Sequence, residues 1–155
     1  MNRVSHFTRL GGVIFASLLG AMDAAHADFR QTTDNATVAY EGPSARATKQ
    51  FIYSRGTPVE GVVTIEGWVK VRDASGTLAW IERRALGDRI NVQVKSTVAD
   101  VYAAADATSP ILFRADSGVL LQIVTPQPPN AGAWMQVRHR DGQTGFVRLD
   151  SVFGL

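Results

Sequence analysis

GWVKVRDASGTLAWIERRAL, residues Gly67–Leu86, returns later in the chain as AWMQVRHRDGQTGFVRLDSV, residues Ala133–Val152. The offset is 66 throughout. Trp68 matches Trp134, Val71 matches Val137, Arg72 matches Arg138, Gly76 matches Gly142 and Trp80 matches Phe146. Ile81 and Leu86 recur as Val147 and Val152. A repeat of this kind means two copies of one small structural unit, which settles domain count before any chemistry is considered.

Working outward, nearly every pattern is that of a strand. Thr57–Gly67 (TPVEGVVTIEG) and Trp68–Asp73 (WVKVRD) are β-branched runs separated by Glu-Gly, and Ala74-Ser75-Gly76 is a tight turn into the next run. In the second copy Val119–Thr125 (VLLQIVT) leads through a Pro-rich loop to WMQVRHR, then Asp141-Gly142 and a further strand. Asp-Gly between two alternating runs is a hairpin signal, because both turn positions tolerate positive φ. Arg89–Val94 (RINVQV) alternates as well, with Ile90, Val92 and Val94 on one face. No stretch after residue 27 sustains a helical period. Short strands joined by Gly-, Asp- and Ser-rich turns predict an all-β protein built as two small β-barrels in tandem. The units are residues 37–88 and 89–155, after a polar lead-in, residues 28–36 (DFRQTTDNA), expected to be loose.

Alternation also assigns faces. Val69 and Val71, like Met135 and Val137, point inward, so Trp68 and Arg72, and Trp134 and Arg138, point out. Trp80 and Phe146 alternate in the same way with Ile81 and Val147. An aromatic at that position either stacks on a ligand at the flank of the unit or covers a core too small to close itself. A seam between the two units is a third place for a tryptophan.

The first residues have the pattern of an export signal. Arg3 and Arg9 precede the short apolar run Leu10–Ala21, and Ala25-His26-Ala27 is a small–x–small cleavage site. The run falls short of the ~20 residues of a spanning helix. A cleaved signal peptide, residues 1–27, and a periplasmic or secreted protein without a membrane span are expected. Cysteine is absent, which excludes disulfides, thiolate metal sites and a lipid-modified N-terminal Cys. Removing Met1–Ala27 takes away Arg3, Arg9 and Asp23 and leaves 14 basic against 13 acidic residues. So small a net charge gives no field for polyanions, and no nucleic-acid partner is expected.

At these residues the chain resembles the bacterial SH3-like family in its tandem exported form. Gly42-Pro43-Ser44 fits the turn that opens the family's unit, Gly56-Thr57-Pro58-Val59 its second element and Trp68–Arg72 its W-x-K-V-R strand. Gly76 and Trp80-Ile81 fit the turn and closing strand. Unit two matches at Gly118-Val119, Trp134–Arg138, Gly142 and Gly145-Phe146-Val147, and ends Val152-Phe153-Gly154-Leu155. The chain departs from the pattern at Tyr40, where relatives often carry Arg, at Ala79 in place of Gly, and at Ala104-Ala105 in place of Gly-Pro. The resemblance implies two SH3-like β-barrels of five to six strands and a binding role, often toward cell-wall peptides or envelope proteins.

The chemical inventory points away from catalysis. His139 is the one histidine after residue 27, and it sits in a charged hairpin beside Arg138, Arg140 and Asp141. That is a poor setting for a sheltered, oriented base. No catalytic residue, metal site or cofactor is expected: there is no Gly-rich phosphate loop, no calcium loop and no His/Cys cluster. The candidate ligand residues are Tyr40, Trp68 and Trp80 in unit one and Tyr102, Trp134 and Phe146 in unit two, with Arg72 and Arg138 as polar anchors. Their ligand would be a peptidoglycan stem peptide or a segment of an envelope protein. The alternative is a structural adaptor with its aromatics buried. Arg83-Arg84 and Arg138/Arg140/Arg148 form basic stripes suited either to solubility or to a carboxylate. Pro126–Pro129 reads P-x-x-P, a stiff loop or a docking peptide.

Overall fold

A computed structural model describes residues 27–125 and 132–155, whose regular structure is β-strand apart from two 3₁₀ turns at Arg83–Ala85 and Leu149–Ser151. Residues 1–26 of the signal-peptide reading (residues 1–27) and the P-x-x-P segment lie outside the described residues. Unit one contains β1 (Asp28–Thr32), β2 (Thr37–Tyr40), β3 (Lys49–Tyr53), β4 (Pro58–Ile65), β5 (Trp68–Arg72), β6 (Leu78–Glu82) and β7 (Leu86–Asp88). Unit two contains β8 (Asn91–Val94), β9 (Val98–Tyr102), β10 (Ile111–Asp116), β11 (Leu120–Ile123), β12 (Trp134–Arg138), β13 (Thr144–Arg148) and β14 (Val152–Phe153).

Each unit is one antiparallel seven-stranded sheet, ordered β3-β2-β6-β5-β4-β1-β7 and β10-β9-β13-β12-β11-β8-β14. The ladders are open, so the units are not closed barrels: β3 and β7 end the first sheet, β10 and β14 the second. The order is the same in both, strand for strand. Where unit one places β1 between β4 and β7, unit two places β8 between β11 and β14.

The sequence repeat becomes a repeat of register. Val69 pairs Ile81 and Val71 pairs Ala79 in the first central hairpin; Met135 pairs Val147 and Val137 pairs Gly145 in the second. These inward residues carry the two cores. Ala39, Val59, Val69, Val71, Ala79, Ile81 and Ala85 form one, while Val92, Val94, Val101, Leu121, Met135, Val137, Val147 and Val152 are the larger members of the other. Both hairpins turn the same way. Asp73 N–H donates to Thr77 O (3.0 Å) and Gly76 N–H to Asp73 O (2.9 Å), and His139 N–H to Gln143 O (2.8 Å) and Gly142 N–H to His139 O (2.9 Å) repeat the pair. Gly76 and Gly142 take φ of 86° and 97°, a left-handed backbone that explains glycine at both.

Two expectations need correction. The polar segment after residue 27 is not a loose lead-in over its first five residues, which form β1, paired on both sides. Its alternation is hidden because its inward face meets the other unit rather than an aliphatic core. Phe29 packs edge-on against Phe153 with ring centroids 5.2 Å apart, and Gln31 Oε1 accepts from Ile90 N–H at 3.1 Å. Asp28 and Arg30, on the other face, pair with each other. Ile90 does not share the inner face of Val92 and Val94; it precedes β8 and is 52% exposed. Asn91 Nδ2 donating to Gly56 O (3.1 Å) also crosses the seam between units, while Arg89 donates to Gly154 O within unit two.

Candidate functional site

The outward residues of the central hairpins make the candidate site, twice. In unit one Tyr40 lies opposite Trp80, and Trp80 opposite Lys70, so three strands present one row. Trp68 follows two residues along β5, opposite Glu82, and meets the Tyr40 ring edge-on at 5.4 Å. In unit two Tyr102 lies opposite Phe146 and Phe146 opposite Gln136, while Trp134 lies opposite Arg148 and meets Tyr102 edge-on at 5.3 Å. Such T-shaped contacts set the positive edge of one ring on the negative face of the other and hold the pair rigid.

Exposure divides the six aromatics. Tyr40, at 8%, forms the base of its patch rather than an open contact surface. Trp68, Trp80, Tyr102, Trp134 and Phe146 are half-buried. None belongs to the seam between units, which uses Phe29 and Phe153 instead. The two proposed anchors differ. Arg72 is exposed but engaged by Glu60 at 3.2 Å, so one carboxylate already answers its charge. Arg138 is exposed and donates to the neutral Thr144 hydroxyl at 3.4 Å, which leaves its charge uncompensated by that contact.

The repeat also aligns charges that aromatic matching overlooks. Glu82-Arg83-Arg84 in unit one corresponds to Arg148-Leu149-Asp150 in unit two. Glu82 accepts from Arg84, whereas Arg148 donates to Asp150 at 2.9 Å, so the same two positions carry an ion pair of reversed sign. The Arg148 guanidinium carbon also lies 5.7 Å from the centre of the Trp134 ring, a cation–π distance. Beside Trp68 there is an open concavity of about 530 Å³ lined by Gly67, Trp68, Glu82, Arg83 and Arg84.

A second polar cluster stands apart from the aromatics. Asp73 Oδ1 accepts from Ser75 N–H (2.9 Å), Ser75 Oγ (2.6 Å) and Thr77 N–H (3.0 Å), and Oδ2 accepts from the Tyr53 hydroxyl (2.9 Å). Burial by itself would raise the Asp73 pKa, but the hydrogen bonds from Ser75, Tyr53 and Thr77 outweigh it and hold the carboxyl below its usual range. Burial, reinforced by Asp73, pushes the Tyr53 phenol well above its usual value. The signal in the sequence was Asp73 followed by Ser75 and Thr77, the spacing of an Asx-turn. His139, at the equivalent turn, sets Nδ1 2.9 Å from Asp141 and its ring 5.7 Å from that of Phe113. Among the described residues no three His, Cys, Asp or Glu side chains gather as metal ligands, and no helix is long and apolar enough to cross a membrane.

Comparison with known proteins follows the same division. A family model described as bacterial SH3 domain matches residues 33–88 and again residues 95–154. No curated protein matches the chain. Among solved structures, NlpC2 from Trichomonas vaginalis is similar at a TM-score of 0.37 and 16% identity, over 83% of this chain and 48% of that one. NlpC1 from the same organism is similar at 0.37 and 18%, over 89% and 50%. The chain thus spans about half the length of either.

Proposed function

The chain belongs to the bacterial SH3 domain family, which it matches twice, and from that premise we propose that it is an exported, non-catalytic binding module for a cell-envelope ligand. The ligand is a peptidoglycan stem peptide or an extended segment of an envelope protein, held on the outer flank of the central hairpin. One observation carries this reading. Five aromatic side chains stand half-buried on equivalent outward faces, away from both the hydrophobic cores and the seam. Rigid, partly exposed rings beside Lys or Arg supply contact area at little entropic cost and suit a peptide. The adaptor alternative requires these rings to be covered by the partner unit, and the contact surface between units uses other residues.

The test is co-sedimentation of residues 28–155 with purified, protein-free peptidoglycan, beside Trp68→Ala and Trp134→Ala variants whose folding is checked by circular dichroism. Retention of the wild type and loss by a folded variant support the reading. A wild type that stays in the supernatant defeats the wall ligand and directs the search to envelope proteins.

A further inference from the structure

The two flanks share a backbone but not a charge pattern. Around Trp68 stand Lys70, Arg83 and Arg84, with the carboxylate of Glu82 paired to Arg84 and that of Asp34 acting on Arg84 as well. At the matching positions around Trp134 stand Gln136, Leu149 and Asp150 with Arg148, and Lys95 acts on Asp150. The difference is structural as well as formal. Leu149 turns inward against the second core, whereas Arg83 at the same step of the 3₁₀ turn is exposed on the rim of the concavity. Arg84 pairs with Glu82, and among the described residues Arg83 makes no ion pair. Arg148, by contrast, is engaged twice, by Asp150 and by the face of Trp134.

Resting on the proposed binding role, we propose that the two units are not equivalent. The flank of unit one is the ligand site and takes a carboxylate-bearing peptide, with Trp68 as its apolar wall and Arg83 and Arg84 as its cationic rim. In unit two the side chain of Arg148 occupies the place a ligand would take over Trp134. The chemistry follows from the residues. A guanidinium fork binds a carboxylate through two parallel N–H donors, and an adjacent ring favours the apolar part of the same ligand. Glu82 and Arg84 answer each other, so the free positive charge of the rim is that of Arg83. A ligand carboxylate meets Arg83 first and competes with Glu82 for Arg84. The concavity of about 530 Å³ has room for one or two residues of a peptide.

The experiment titrates the chain with the acetylated, C-terminally amidated peptide Ala-Glu-Ala-Glu-Ala and with its Gln counterpart, followed by calorimetry. Wild type is compared with the double variant Arg83→Gln/Arg84→Gln and with Arg148→Gln. The expected result is binding of the Glu peptide at least tenfold tighter than the Gln peptide. The double variant then loses at least tenfold in affinity, and Arg148→Gln stays within twofold of wild type. All three substitutions are at exposed positions, so the fold is retained. Equal affinity for both peptides, no measurable binding of either, an unaffected double variant, or an equal loss in Arg148→Gln each overturns the proposal. The peptidoglycan sedimentation stands apart from this. A wild type that ignores the wall yet discriminates the peptides refutes the wall ligand and leaves the carboxylate site in place. A wild type that binds the wall but not the peptides does the reverse.

Discussion

Two buried threonines in the first sheet provide a matched test of how β1 is held. Thr32, at 0% exposure, donates its hydroxyl to Ser54 O at 2.6 Å and accepts from Thr57 N–H at 3.1 Å. Thr37, at 2%, has a buried hydroxyl without a hydrogen-bond partner among the described residues. Valine has the same shape as threonine, so Thr32→Val removes both bonds without a cavity. Ser54 O keeps the Thr57 hydroxyl at 2.8 Å, but Thr57 N–H is left with a long contact to the same carbonyl at 3.3 Å. A buried donor left so poorly satisfied costs about 1–3 kcal/mol. The gained methyl returns up to about 0.8 kcal/mol. The net loss of about 0.2–2 kcal/mol lowers Tm by up to roughly 15 °C in a unit of this size. In Thr37→Val no bond is lost and an unpaired hydroxyl leaves the interior, so that variant is neutral or more stable by up to about 1 kcal/mol. Urea unfolding and thermal melts followed by tryptophan fluorescence read both. A Thr32→Val variant as stable as wild type, or equal losses in the two, would refute the reasoning and with it the anchoring of β1.

Gly145→Ala destabilises unit two by about 1–3 kcal/mol, because its Cβ would lie 2.7 Å from Tyr102 O and from Val101 Cγ1. Ala79 occupies the same place in unit one, so Ala79→Gly gives no comparable relief there; chemical denaturation of each variant checks the contrast. Asp73 has a lowered pKa in the folded chain, so its stabilisation is complete above its unfolded value of about 3.9 and is lost as pH falls through the folded one. Tyr53→Phe removes one donor to that carboxylate, so the stability gap from wild type narrows in urea titrations below about pH 4. Phe29→Ala and Phe153→Ala, combined in a double-mutant cycle, couple by about 0.5–1.5 kcal/mol. Independent effects there would mean that the seam is not a packed contact.

Much of this architecture was legible because a strand with one buried face writes a period of two into the chain. Val69/Val71 and Met135/Val137 declared the inward face, and the same residues paired with Ile81, Ala79, Val147 and Gly145 in matching register. The outward position of Trp68, Trp80, Trp134 and Phe146 followed by the same alternation. β1 was not legible, because half of its side chains face a neighbour far away in sequence, and polar Gln31 is accommodated there by one backbone N–H.

The amino-acid sequence alone therefore determined the repeat, the strand content and the outward aromatic rows, all of which are local consequences of side-chain alternation and turn chemistry. The tertiary structure decided what those rows are worth. It buried Tyr40, answered Arg72 with Glu60, laid Arg148 over Trp134 and left Trp68 beside an open concavity. The first depends on which distant strand lies alongside and the others on where side chains settle across neighbouring strands, neither of which a strand's own period encodes.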